Sequence, residues 1–292
     1  MYKITKSFSA GFRTADEIIT TKIQMSTLTD PVLLGSLVAC VAVLALSPSR
    51  YVAFGKEVIG GALTVLLVVG AGPLAGLLPI APYVGGYEEV LMFCSSIVLI
   101  DVLFGSKNNP IVSLALCMWG FTSTMDVIVE IAGQMAGGLI GFPVLKLVAA
   151  KYGKEMGGPS VDLTSTTLNT ALASEVLSSI LLITTIALLA MTSIGDYYWI
   201  KQPAIAAAIR LIVIQPFFGA TGPAMNPMLP TTYQVFANGT WPTDVLGHYA
   251  VYWVAAPAGA ALAATVFKMV LRIGQPAAAP AAQKKAKKPK KA

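Results

Sequence analysis

Long apolar blocks joined by short polar stretches run through most of this chain, and that pattern constrains its fold more than any other feature. A helix needs about 20 apolar residues to cross a hydrocarbon core. Six segments of that kind are legible, at roughly 55–78, 87–104, 124–150, 168–193, 203–219 and 246–273. Only 12% of the 292 residues are charged and the mean hydropathy is +0.72, against about 25% charged residues in a soluble domain. The expectation is an all-α, multi-pass integral membrane protein embedded in a lipid bilayer. A nucleic-acid partner, a secreted disulfide scaffold and most soluble enzymes are excluded.

The net charge of +6 does not alter this. Lys284, Lys285, Lys287, Lys288, Lys290 and Lys291 supply six of the 20 basic residues, and the other 14 balance the 14 acidic ones. The basicity therefore belongs to a lysine-rich tail, 274–292, expected to be disordered. Cys40, Cys94 and Cys117 all lie in apolar stretches, where a free thiol behaves as a small hydrophobe. With His248 as the one histidine, neither a metal site nor a cofactor is expected.

Residues 1–30 are polar and mixed in charge, and Asp16-Glu17 argues against an acid-poor transit peptide. Asp30 as a cap and Pro31 at a first helical position then introduce an extra apolar helix over 31–47. Its apolar run, Val32 to Leu46, is short for a span, so a tilted, re-entrant or interfacial piece is as open as a crossing.

Two shorter apolar stretches, Ile111–Trp119 and Met228–Phe236, are each introduced by the same dipeptide, Asn109-Pro110 and Asn226-Pro227. Glu57 precedes Asn109 by 52 residues, and Glu175 precedes Asn226 by 51. A small-residue ladder, Gly133, Gly137 and Gly141, has a counterpart 123 residues on in Ala256, Ala260 and Ala264. Such ladders let helix backbones approach closely in a membrane. Three landmarks recurring in one order indicate a duplicated half, 55–150 and 151–273. Short interrupted segments at matching places in two halves point to an inverted-repeat channel or transporter.

Asn is a preferred N-cap and Pro loses nothing at the first helical position, so each Asn-Pro reads as the start of a short helix within membrane depth. Chance alone gives roughly 0.3 such pairs in a chain of this composition, and Asn-Pro also marks ordinary turns. Two pairs in register with duplicated glutamates are far more specific. Two half-helix N-termini at one midplane oppose a cation or relayed proton, while the asparagine amides can still bond a neutral molecule. Passive permeation follows. The polar residues in the apolar segments, Glu57, Glu175 and Asp101, offer no nucleophile–base pair and so no enzyme. The two glutamates either pin the re-entrant loops by accepting amide hydrogens or snorkel from helix ends to the interface.

These residues make the chain resemble the aquaporin superfamily of major intrinsic proteins over about residues 55–273. Glu57 is similar to the family's first-helix glutamate, Glu175 to the fourth-helix one, and Gln134 to its third-helix Ala-Gln. Thr221-Gly-Pro-Ala-Met-Asn-Pro-Met228, the run from His248 to Trp253 and the lysine-rich tail resemble the small basic intrinsic proteins. The resemblance implies six spans, two re-entrant half-helices, a homotetramer, and a pore in each protomer for water or a small neutral solute.

The departures are informative. The alanine of the usual Asn-Pro-Ala is Ile111 in one motif and Met228 in the other. Leu229 stands where water channels carry arginine, Ile214 falls at the fifth-helix filter position, and Pro223 takes the remaining loop position. The second-helix filter position falls among Glu89, Val90 and Phe93, with Val90 taken as its representative. A filter of Ile214, Pro223 and Leu229 has no fixed charge and few hydrogen-bond donors, and favours small neutral solutes such as ammonia, hydrogen peroxide or short polyols over selective water passage. Pro230 removes a helical hydrogen bond from the second half-helix. Ile111, Met228, Leu229 and Pro230 together support an alternative, a closed pore in a structural or assembly protein.

Outside the pore, Lys290 and Lys288 stand third and fifth from the end of the sequence, matching a dilysine retrieval signal for endoplasmic-reticulum membrane proteins, which requires a cytosolic C-terminus. The positive-inside rule favours the same side. The other reading is a basic tail binding anionic lipid. Asn238-Gly239-Thr240 fits an N-glycosylation acceptor on the opposite side. His248 is expected at a helix end or interface, and so is Asp101.

Overall fold

A computed structural model describes residues 48–78, 83–84, 86–192 and 198–272. The expected segment 1–30, the extra helix 31–47 and the tail with Lys288 and Lys290 lie outside the described residues. Among those described there is no strand.

The first helix, α1, spans Pro48–Leu63 and continues as a π-helical stretch, Thr64–Val69. It begins seven residues before the expected boundary at 55, because Tyr51 to Phe54 extend the apolar run. Thr64 Oγ1 donates to Gly60 O at 2.8 Å, a side-chain bond that competes with the helical ladder where the ladder widens. After two short turns, α2 runs over Glu88–Phe104 and stops at Gly105, whose φ of 57° turns the chain back. The half-helix α3 is Pro110–Met118. Next come α4, Thr124–Lys151, and α5, Leu168–Ala190. Ser123 and Thr167 cap these two, accepting from Asp126 N and Thr170 N at 3.2 Å each.

The helix α6 is Tyr198–Val213 rather than 203–219. Gln215 is extended at φ −73°, ψ 128°, as the residue before a proline tends to be, and Pro216 starts a separate 3₁₀ turn, Pro216–Thr221. The second half-helix, α7, is Met228–Asn238. The last span, α8, joins a π-helical stretch Val245–Ala255 to an α-helix Ala256–Val270.

Among the described residues, four helices are long and apolar enough to cross a bilayer: Ser49–Val69, Thr124–Lys151, Leu168–Ala190 and Val245–Val270. The described parts of α2 and α6, at 17 and 16 residues, reach roughly 24–26 Å at 1.5 Å per residue, just short of the ~30 Å core. Leu103, Leu147, Val254 and Val270 are exposed on helix surfaces, the apolar exterior that lipid requires and water penalises.

The two halves pack alike. In each, the opening helix lies against the closing one, α1 on α4 and α5 on α8. A Cβ added at Gly137 would meet Val58 O, and one at Gly259 would meet Val176 O, both well inside 3.0 Å. Those contacts correct the repeat by one residue. The counterpart of Gly137 is Gly259, so the ladder Gly133, Gly137, Gly141 maps onto Ala255, Gly259 and Ala263. Ala256, Ala260 and Ala264 belong instead to a buried cluster with Ile111, Ala115 and Trp119 of the first half-helix region. Trp119 Nε1 donates to Ala264 O at 2.9 Å, tying the far end of α3 to α8.

Backbone approach at these glycines predicts a position-specific penalty. Gly137→Ala and Gly259→Ala each lower stability by about 1–3 kcal/mol, as overpacking does. Gly55→Ala, with nothing within 4 Å of the new methyl, is neutral or stabilising by up to ~1 kcal/mol through helix propensity. Thermal unfolding of the protein in nanodiscs measures all three.

Candidate functional site

The loops entering the two half-helices have the same backbone. Gly105 and Gly222 take φ of 57° and 61°, and Asn108 and Met225 take 44° and 43°, each pair 117 residues apart. An asparagine tolerates this left-handed region, but a methionine there is strained by about 1–2 kcal/mol. Neighbouring bonds hold the conformation. Met225 N donates to Glu175 Oε2 at 3.0 Å, and Ala224 N to Oε1 at 2.9 Å. In the other half, Lys107 N donates to Glu57 Oε1 at 2.8 Å and Asn108 N to Oε2 at 2.9 Å. Glu57 and Glu175 are buried at 3% and 0% exposure, so neither reaches an interface.

The two asparagines then lock the loops to each other. Asn109 Nδ2 donates to Met225 O at 2.8 Å, and Asn226 Nδ2 to Asn108 O at 2.9 Å. Each side-chain oxygen caps its own half-helix, accepting from Ile111 N at 3.1 Å and from Met228 N at 3.2 Å. Pro227 is already helical at φ −55°, ψ −26°, as a first-turn proline should be. An amide nitrogen carries two hydrogens, so each asparagine keeps one donor beyond its cross-loop bond. Both side chains line a cavity of about 440 Å³.

The residues expected at the pore fall into two groups. Asn109, Asn226, Pro223 and Leu229 line the cavity; Pro110 and Pro227 set the helix starts behind it. Ile111 and Met228, both at 0% exposure, point away into two separate packing clusters. Gly138 makes the room for Met228, since a Cβ there would meet its sulfur at 2.6 Å. Pro230 costs α7 no ladder bond. It stands in the first turn, where amides have no helical partner, and Asn226 O takes Leu229 N at 3.1 Å instead. Of the four residues that suggested a closed pore, Leu229 alone lines the cavity.

Ile214 and Val90 are not in the lining. Ile214 is 52% exposed, because α6 turns its Ile209, Arg210 and Val213 inward and the next residue lies a further 100° round the helix. On α2 the lining residues are Glu89, Phe93, Ile97 and Ile100, three or four apart on one face. Beside the uncharged Pro223 and Leu229, the cavity lining also holds Glu89, one of the three second-helix candidates, and Arg210.

Sequence reasoning missed the supporting residues Arg210, Lys107, Glu130 and Thr231, and it named Gln134 without its partners. Arg210 was visible as a lone cation in an apolar run, a signal that by itself marks function in a membrane. Lys107 and Glu130 form a part-buried ion pair beside the first loop, and Thr122 Oγ1 also accepts from Lys107 at 2.7 Å. Gln134 Nε2 donates to Glu57 Oε2 at 2.8 Å and to Ser113 Oγ at 3.2 Å. Thr231 Oγ1 donates to Pro227 O at 2.7 Å and accepts from Trp253 Nε1 at 2.9 Å. Its hydrogen being used, His248 Nε2, 2.9 Å away, must be the donor in their bond. His248 is therefore a buried fastening of α7 to α8, not an interface residue. Asp101 is half-buried and outside the lining; Asn238 ends α7 and is exposed.

Opposed half-helices, cross-bonded asparagines and a cavity between them define a channel fold. Residues 50–267 match the Major intrinsic protein family, and the chain belongs to it. It is 28% identical over 185 residues to Aquaporin SIP1-2 of Zea mays, covering 62% of this chain and 72% of that one. Aquaporin SIP1-1 of Oryza sativa subsp. japonica is 28% identical over 204 residues, 67% and 78% of the two chains. Among solved structures, the aquaglyceroporin from Plasmodium falciparum superposes with a TM-score of 0.61 at 18% identity, over 76% of this chain and 97% of that one. The family is one of membrane channels for water or small solutes, not of enzymes.

The pinning carboxylates carry a direct expectation. Glu175→Gln sets an amide NH₂ against the Ala224 and Met225 amides and costs about 1–3 kcal/mol, the penalty for a buried donor left unpaired. Hydrogen exchange at those two amides should then accelerate by roughly tenfold or more, while exchange at Lys107 and Asn108 stays slow.

Proposed function

We propose that this chain is a passive channel for water and small neutral solutes, with Asn109 and Asn226 as its midplane donors. Supporting the reading most is that each asparagine caps its own half-helix, bonds the opposite loop and keeps a spare N–H on one shared cavity. Glu57 and Glu175 serve as loop supports, and Pro223 and Leu229 as the loop side of the filter. An apolar Leu229 in place of a charge fits passage of ammonia, hydrogen peroxide or short polyols as well as water.

The protomers assemble as a homotetramer, an arrangement carried over from the family. The endoplasmic reticulum is the proposed location, with a cytosolic C-terminus and Lys288 and Lys290 as the retrieval signal. Asn238, exposed at the end of α7, then lies on the lumenal side as a glycosylation acceptor. The alternative, a closed pore in an assembly component, keeps one lining residue in its favour, Leu229.

Stopped-flow light scattering on proteoliposomes decides between them. Water, glycerol and urea gradients are run beside fluorescent assays for ammonia and peroxide. Flux well above empty vesicles for at least one of these is expected, and the Asn109→Asp/Asn226→Asp variant should lose it. Flux at the empty-vesicle level for every solute, from intact reconstituted protein, would leave the assembly role.

A further inference from the structure

Arg210 Nη2 lies 2.8 Å from Glu89 Oε1, joining α6 to α2. The guanidinium also sits over the Phe93 ring, 5.6 Å from its centroid. All three side chains line the cavity that holds Asn109 and Asn226, together with Pro223 and Leu229. The Arg210 side chain is 19% exposed and that of Glu89 42%. Arg210 Nε is buried and has no hydrogen-bond partner among the described residues.

Stability alone does not account for this pair. Arg210, the less exposed partner, recovers its desolvation only when its remaining donors are satisfied, and its Nε is not. Apolar contacts between α2 and α6 would join the helices at lower cost. What the pair does supply is charge on the cavity wall, in a channel whose loop position 229 carries none.

We propose that Glu89 and Arg210 form a charge-compensated filter element, in which each side chain cancels the field that the other would impose on an ion in the cavity. The proposal rests on the channel reading above. Arg210 adds donors to those of the asparagines, so the cavity favours small neutral solutes that accept hydrogen bonds. Phe93, Pro223 and Leu229 accept the apolar side of such a solute. With the pair intact the described residues of the wall carry no net charge, and neither cations nor anions gain a partner that offsets dehydration. Either side chain alone would be an uncompensated unit charge, whose field is strong in a low-dielectric cavity.

The signs of the single variants test this. Arg210→Gln leaves Glu89 alone and should raise cation leak through proteoliposomes by roughly tenfold or more over wild type, with little change for chloride. Glu89→Gln leaves Arg210 alone and should do the reverse. The swap Glu89→Arg/Arg210→Glu and the neutral double variant Glu89→Gln/Arg210→Gln should both be as ion-tight as wild type. A plain strut between helices would give leaks of one character in both singles, and that result overturns the proposal. Singles that stay ion-tight while wild-type solute flux is present also overturn it, leaving the channel reading intact. Absence of any flux through the wild-type protein removes both.

Discussion

Two buried carboxylates, Glu57 and Glu175, organise everything else in this molecule. A chain can re-enter a membrane without regular structure only if its backbone groups find partners inside the protein. Each glutamate supplies two acceptor oxygens to two successive loop amides. That holds Asn108 and Met225 in left-handed conformations, which in turn aim Asn109 and Asn226 across the midplane. Remove the acceptor and the loop has no reason to keep that path. The half-helices, their dipoles and the cavity between them all follow from the pinned loops.

The two halves share this skeleton but fill it differently. The first surrounds its glutamate with Ser106, Gln134 and the Lys107–Glu130 pair. The second relies on packing and a few hydroxyl bonds, among them Tyr252 Oη donating to Thr221 O at 3.0 Å. Its half-helix is fastened by Thr231, His248 and Trp253. Bulk has been moved out of the lumen as well, with Met228 seated against Gly138 and Ile111 in the α3–α8 cluster. Of the departures from the family's usual wording, Ile111 and Met228 are therefore packed away from the cavity, while Leu229 lines it.

The repeat, the half-helices and the carboxylates were legible in the sequence because each leaves a local mark. A glutamate in an apolar run and a proline after an asparagine are costly or directional enough to be read singly. The rest depended on rotation about a helix axis. Ile214 and Val90 missed the cavity by one residue, and a one-residue step turns a side chain through 100°. The ladder on α8 was displaced by one residue for the same cause: small residues fill nearly every position of 255–264, and backbone contact selects Gly259. His248 and Arg210 were visible as residues, but not with their partners, Thr231 and Glu89, which are 17 and 121 positions away.

The central claim is that the pinned half-helices enclose a solvent path and not a packed seam. An experimental density map in lipid nanodiscs, at a resolution that places ordered water, tests it most directly. The account predicts a file of water passing the free Nδ2 hydrogens of Asn109 and Asn226 and continuing between Arg210 and Leu229. A map with apolar side chains in contact across that space, and no water beside either asparagine, would contradict it.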